Sequence, residues 1–92
     1  MLHNALKSVR KFHKMSVVDT AHKIGVSPSY ISELENDKKR IHDDILQAYS
    51  RLFNMPVSSL YLIAEAEDEQ TNSLKSKARR KVAQIIKWIA SD

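Results

Sequence analysis

The residue types that most often catalyse reactions or bind metals are scattered in this chain. Its four histidines lack the H-x3-H and HExxH spacings that place two imidazoles on one helix face, and no cysteine accompanies them; they are His3, His13, His22 and His42. Asp43 and Asp44 are adjacent, so on a helix they point in different directions. They are typical of acids that complement a helix N-terminus. The sequence therefore predicts no enzyme, no metal site and no cofactor.

Charged residues that could bind a polyanion occur in two basic blocks separated by an acidic one. Residues 1–64 hold nine Lys or Arg against six Asp or Glu, residues 65–69 (EAEDE) hold four acids, and residues 70–92 hold six Lys or Arg and one acid. The net charge is +4. Basic blocks favour a nucleic acid as partner, although a solvated helical surface would show similar charges.

A turn between two short helices is the most informative local pattern. The first of these helices is predicted to end at Ile24, and Gly25 can adopt the positive φ that often ends a helix. Ser27 can cap the next helix, and Pro28 is tolerated in its first turn. Two short helices joined by a glycine turn are typical of a helix-turn-helix, whose second helix enters the major groove of DNA.

The stretch from Ser16 to Asn36 resembles the Cro/CI-type helix-turn-helix family, also called the Xre family, which includes phage repressors. The joint spacing of the matching residues carries the resemblance, which extends over roughly the first 64 residues. These residues are Leu6, Arg10, Ala21, Gly25, Val26, Ser27, Ile31, Leu34, Glu35, Asn36, Ile45, Leu46, Leu52, Phe53 and Leu60.

The resemblance implies which residues contact DNA. The start of the third helix would reach base edges, through Ser27, Pro28, Ser29 and Tyr30, with Glu33 one turn later. Phosphates would be bound by the basic loop and by helix ends, through Ser16, Val17, Asn36, Lys38, Lys39 and Arg40. The family commonly pairs a first-helix Arg with the Glu that ends the third helix. The resemblance therefore implies a structural ion pair between Arg10 and Glu35.

The chain departs from the phage repressors that it resembles. Val17, Pro28 and Ser29 stand where those proteins often carry Gln or another long polar residue. Thr20 replaces a frequent core Leu, and Asp37 replaces a frequent Gly. Few of these residues can therefore form a bidentate hydrogen-bonded contact with a base. Each such contact discriminates against the wrong base by about 1–3 kcal/mol.

Hydrophobic periodicity predicts an all-α fold. We expect a five-helix, lambda-repressor-like DNA-binding domain over residues 1–64, an acidic linker over residues 65–70 and a long C-terminal amphipathic helix over residues 71–92. The first helix is predicted over about residues 3–14, and Asn54 is expected to end the fourth. Pro56 should open the fifth, with Val57, Leu60, Tyr61 and Ile63 inward.

The C-terminal helix carries one continuous apolar stripe, formed by Leu74, Ala78, Val82, Ile85, Ile86 and Ile89. Such a stripe requires a covering surface. We favour a dimer interface against a second copy; packing onto the same chain and binding to a membrane surface are the alternatives.

The sequence therefore predicts a sequence-specific regulator, a repressor, that binds double-stranded DNA as a homodimer at a pseudo-palindromic operator. No membrane span and no signal peptide are recognisable, so we expect a cytoplasmic protein. Two alternatives stay open. One is an antitoxin whose tail masks a toxin partner, and the other is a protein-interaction module that has lost DNA binding.

Overall fold

A computed structural model describes residues 1–68 and 83–89, and the regular structure of these residues is helical. Five helices follow one another: α1 (Leu2–Phe12), α2 (Val17–Ile24), α3 (Pro28–Glu35), α4 (Asp43–Leu52) and α5 (Val57–Asp68). A further helical segment covers residues 83–89 and is called the C-terminal segment below. The predicted all-α fold, with five helices in the first part of the chain, is confirmed.

One hydrophobic core joins the five helices. α1 packs against α5 and α3, α2 packs against α3 and α4, and α4 packs against α5. Each helix contributes apolar side chains at helical spacing, so that one side is buried and the other faces water. The fully buried members include Leu6, Val9, Ile31, Leu34, Tyr49, Leu60 and Ile63.

Each of the first four helices is followed by a residue in the left-handed conformation, and two of these residues bear on the predicted helix ends. Asn54, after α4, has φ 51°, which is the conformation that the sequence predicted for it. Lys14, which we expected inside α1, has φ 56°. α1 therefore ends at Phe12, because a residue with positive φ cannot continue a right-handed helix.

α5 extends further than the sequence predicted. It runs through Asp68 and so includes most of the acidic segment that we expected to be a linker. Ala64 and Ala66 are buried within this extension, and alanine is the strongest helix former. Tyr61, expected to face inward, is 49% exposed, while Ile63 is fully buried.

The C-terminal segment lies against the core of its own chain. Ile86 is a buried member of the core, and Ile85 and Ile89 pack against it. Of the predicted long helix, residues 83–89 are helical, and residues 71–82 and 90–92 lie outside the described residues. For these three isoleucines, packing onto the same chain is the arrangement that the structure shows.

Candidate nucleic-acid interface

Side-chain caps and a left-handed glycine set the angle between α2 and α3. The Ser16 hydroxyl accepts a hydrogen bond from the backbone N–H of Asp19 at 2.9 Å. The Ser27 hydroxyl does the same for Tyr30 at 3.1 Å. Gly25 ends α2 with φ 91°, where a side chain would be strained. These local signals were all recognisable in the sequence, and together they form a helix-turn-helix with α3 as its second helix.

α3 presents a polar outer side and anchors itself through an inner one. Ile31 and Leu34 lie on the inner side of α3 and are fully buried. On the outer side Pro28 and Ser29 are exposed. The first turn of α3 is therefore open to a macromolecule that approaches from outside.

The five residues predicted to read bases are not equally available. Ser27 is exposed, but its hydroxyl already caps α3. Tyr30 is half-buried and packs against the core, and Glu33 is half-buried as well. Of the predicted residues with a hydrogen-bonding side chain, Ser29 is exposed and its hydroxyl does not serve as a helix cap.

Ser32 also lies on the exposed side of α3, although it was not among the residues predicted to contact bases. It follows Ser29 by one helical turn, and residues three apart on a helix are neighbours on its surface. Helical periodicity was therefore the signal that could have found it.

Arg10 and Glu35 form the buried ion pair that the resemblance implied. Arg10 donates from Nε to Glu35 Oε2 at 2.7 Å and from Nη2 to Oε1 at 2.9 Å. Its Nη1 donates to the carbonyl oxygen of Met15 at 2.8 Å. The pair is thus bidentate and joins α1 to the last turn of α3, which fixes one end of that helix.

A tyrosine from α4 completes this network. The Tyr49 hydroxyl lies 3.4 Å from Glu35 Oε2, to which it donates, and Tyr49 is fully buried. Burial, together with the negative charge of Glu35, raises the pKa of Tyr49, so this hydroxyl stays a neutral donor. The hydrogen bond to Glu35 raises the pKa of Arg10 despite its desolvation. No local pattern in the sequence indicated that Tyr49 would contact Glu35.

The loop after α3 is basic and exposed. Lys38, Lys39 and Arg40 are all exposed, and the Lys38 backbone N–H donates to the Glu33 carbonyl oxygen at 2.8 Å. Asp37 precedes them with φ 59°, a conformation that glycine adopts at no steric cost. The geometry explains why a glycine would suit this position. It also places one acid beside three cations.

The other predicted phosphate ligands lie at helix ends. Ser16 is exposed and Val17 half-buried at the N-terminus of α2, where backbone N–H groups favour an anion. Asn36 is exposed at the end of α3, and its amide nitrogen donates to the Ser32 carbonyl oxygen at 2.8 Å.

The predicted dimer-interface residues divide into two groups. Ile85, Ile86 and Ile89 pack against the core of their own chain, as described above. Leu74, Ala78 and Val82 lie outside the described residues. The structure therefore brings half of the stripe to the core.

The described residues show neither a metal site nor a membrane-spanning helix. Within residues 1–68 and 83–89, no group of three or more His, Cys, Asp or Glu is placed to hold a metal ion. Over the same residues, no helix is long and apolar enough to cross a membrane.

Comparison with known proteins agrees with this geometry. A family model described as helix-turn-helix matches residues 6–60, which is more than half of the chain. The search of curated proteins and the search of solved structures gave no match. The fold and the match define a DNA-binding helix-turn-helix protein. The chain belongs to the Cro/CI-type (Xre) helix-turn-helix family, whose members are DNA-binding transcriptional regulators.

Proposed function

We propose that this protein is a transcriptional repressor that binds a specific double-stranded DNA sequence as a homodimer. One observation supports the proposal most. The outer side of α3 is exposed at Pro28 and Ser29, while Ile31 and Leu34 anchor the helix in the core. A helix held in this way can enter a major groove without disturbing the fold.

The distribution of charge supports the same orientation. Lys38, Lys39 and Arg40 follow α3 directly and are exposed. They would contact phosphates beside the groove that α3 enters, and Ser16 and Val17 would present the N-terminus of α2 to the same backbone. Phosphate contacts position the protein, whereas Ser29 and its neighbours would contact base edges.

The two-fold symmetry of the dimer would determine the spacing of the two half-sites in the operator. Two copies of α3 would enter successive major grooves, so the half-sites of a pseudo-palindrome would be about 34–36 Å apart. The interface between copies would use the part of the stripe formed by Leu74, Ala78 and Val82.

Because its partner is DNA, we place the protein in the cytoplasm, where it would act as a repressor by occupying a promoter.

Selection of bound sequences from random DNA, combined with light scattering, tests the proposal. We expect a pseudo-palindromic consensus with centres about 10–10.5 base pairs apart, and the mass of a dimer. Affinity should fall by about 10³–10⁵ between about 50 and 200 mM salt if 6–10 phosphates are contacted. A monomer that selects no consensus would contradict the proposal.

Two other outcomes would favour the alternatives. Co-purification of a small, stably bound protein would favour an antitoxin whose DNA-binding domain regulates its own gene. Failure to retard any DNA at low salt would favour a protein-interaction module.

A further inference from the structure

Ser32 occupies the middle of the exposed side of α3. It lies one turn after Ser29 and one turn before Asn36, and all three residues are exposed. Residues at these spacings form a row on the helix surface. If α3 enters the groove as proposed above, Ser32 enters with it.

The Asn36 side chain has a defined orientation. Its Nδ2 lies 2.8 Å from the Ser32 carbonyl oxygen and 3.4 Å from the Ser32 hydroxyl oxygen. A carbonyl oxygen only accepts hydrogen bonds, so the amide atom that faces it must be the nitrogen. The backbone N–H of Asn36 donates to the same carbonyl oxygen at 3.0 Å. Asn36 therefore directs its donors towards Ser32.

This orientation decides what Asn36 can offer to DNA. The Nδ2 amino group carries two N–H donors, and the short contact with the Ser32 carbonyl oxygen uses one of them. The second N–H can still donate to an acceptor outside the protein, such as a phosphate oxygen. The phosphate contact that the resemblance implies for Asn36 therefore stays a prediction, beside the contact with Ser32.

The same contact leaves the Ser32 hydroxyl as a donor. Its oxygen accepts from Asn36 Nδ2 at 3.4 Å, and its own O–H has no acceptor among the described residues. A hydroxyl in this state is suited to an external acceptor. The acceptors on the major-groove edges of bases are purine N7, guanine O6 and thymine O4.

We propose that Ser32 is a specificity-determining residue that donates a hydrogen bond to one of these base acceptors, and that Asn36 is the residue that positions it. The inference rests on the proposed DNA-binding function and adds a contact to it. It also gives Asn36 a role that Lys38 and Arg40 lack, since Asn36 acts on base recognition through Ser32.

The test begins with Ser32→Ala and the sequence that the parent protein selects. Binding is measured by fluorescence anisotropy for that sequence and for every single-base variant of it, at several salt concentrations. We expect Ser32→Ala to bind the best site about 2- to 13-fold more weakly and to lose its preference at one base pair of each half-site. The dependence on salt should not change, because no phosphate contact is lost.

Asn36→Ala tests the positioning role. We expect a smaller loss of preference at the same base pair. The double variant should discriminate between base pairs no worse than Ser32→Ala alone, because the two substitutions remove the same interaction. Ser58→Ala, an exposed serine on α5, is the matched control and should bind as the parent does. Melting temperatures of all variants show whether a loss reflects unfolding.

Three results would overturn the proposal. The first is Ser32→Ala with an unchanged preference at every base pair. The second is a salt slope reduced by about one, which would make Ser32 a phosphate ligand. The third is a double variant in which the two losses simply add. If the parent protein itself selects no DNA, the proposed function fails, and this proposal with it; the first three results leave that function intact.

Discussion

The guanidinium of Arg10 holds both carboxylate oxygens of Glu35, at 2.7 and 2.9 Å, although the two residues lie on different helices. Both residues are more than nine-tenths buried. The pair joins α1 to the C-terminal end of α3, so it helps to fix the orientation of α3 in the fold.

Replacing one partner of this pair should destabilise the protein strongly. Arg10→Met would leave the Glu35 carboxylate buried without its counter-charge, which costs about 3–5 kcal/mol. We expect a much lower melting temperature and weaker DNA binding. The double variant Arg10→Met/Glu35→Leu should recover much of the loss, because apolar side chains can replace a buried pair. Equal melting temperatures for Arg10→Met and the parent would contradict the interpretation.

Asp37 should lower DNA affinity through its charge. Its φ of 59° suits asparagine as well as aspartate, so Asp37→Asn removes the acid beside Lys38 without straining the backbone. We expect DNA binding to strengthen by about 1.5- to 5-fold at low salt, with an unchanged melting temperature. Glu65→Gln, which removes an exposed acid from α5, is the matched control and should have no effect on binding. Weaker binding by Asp37→Asn would show that the carboxylate itself contributes to the interface.

The buried hydroxyl of Thr20 should lower the free energy of unfolding. Thr20 is fully buried in α2, and its Oγ1 has no hydrogen-bond partner among the described residues. Thr20→Val removes that polar atom at nearly constant shape. We expect a gain of about 1–3 kcal/mol, measured by denaturant unfolding. Thr20→Ser keeps the hydroxyl and loses a methyl group, so it should be less stable than the parent. A Thr20→Val variant that is less stable than the parent would contradict this interpretation of the Thr20 hydroxyl.

Ile86 should stabilise its own domain. It is 1% exposed within the core, so Ile86→Ala should lower the free energy of unfolding by about 2–5 kcal/mol. Gln84→Ala, on the exposed side of the C-terminal segment, should change it by less than about 0.5 kcal/mol. An Ile86→Ala variant with unchanged stability but a shifted monomer–dimer equilibrium would instead assign this residue to the interface between copies.

The elements that the sequence predicted well depend on local signals. Ser16, Gly25, Ser27 and Pro28 specify caps and a turn through their own backbone chemistry, so their positions needed no tertiary information. Tyr49 is different, because it reaches Glu35 only when α4 packs beside α3. A contact of this kind depends on the whole fold.

The C-terminal stripe shows another limit of sequence analysis. Periodicity shows that Ile85, Ile86 and Ile89 share one side of a helix, but it does not specify the surface that covers them. The core of the same chain and a second copy are both apolar, so the pattern suits either. In the structure these residues pack against the core of their own chain. Asp37 is similar, since its left-handed backbone follows from the path of the loop after α3.

The most direct test of DNA recognition by α3 is the binding of Ser29→Glu to the selected DNA sequence. Ser29 is exposed, so the new charge should leave the melting temperature unchanged while it repels the phosphates and base acceptors of the groove. Ser58→Glu introduces the same charge on α5 as a control. We predict that Ser29→Glu abolishes retardation of the DNA and that Ser58→Glu binds normally. Equal binding by both folded variants would contradict the account.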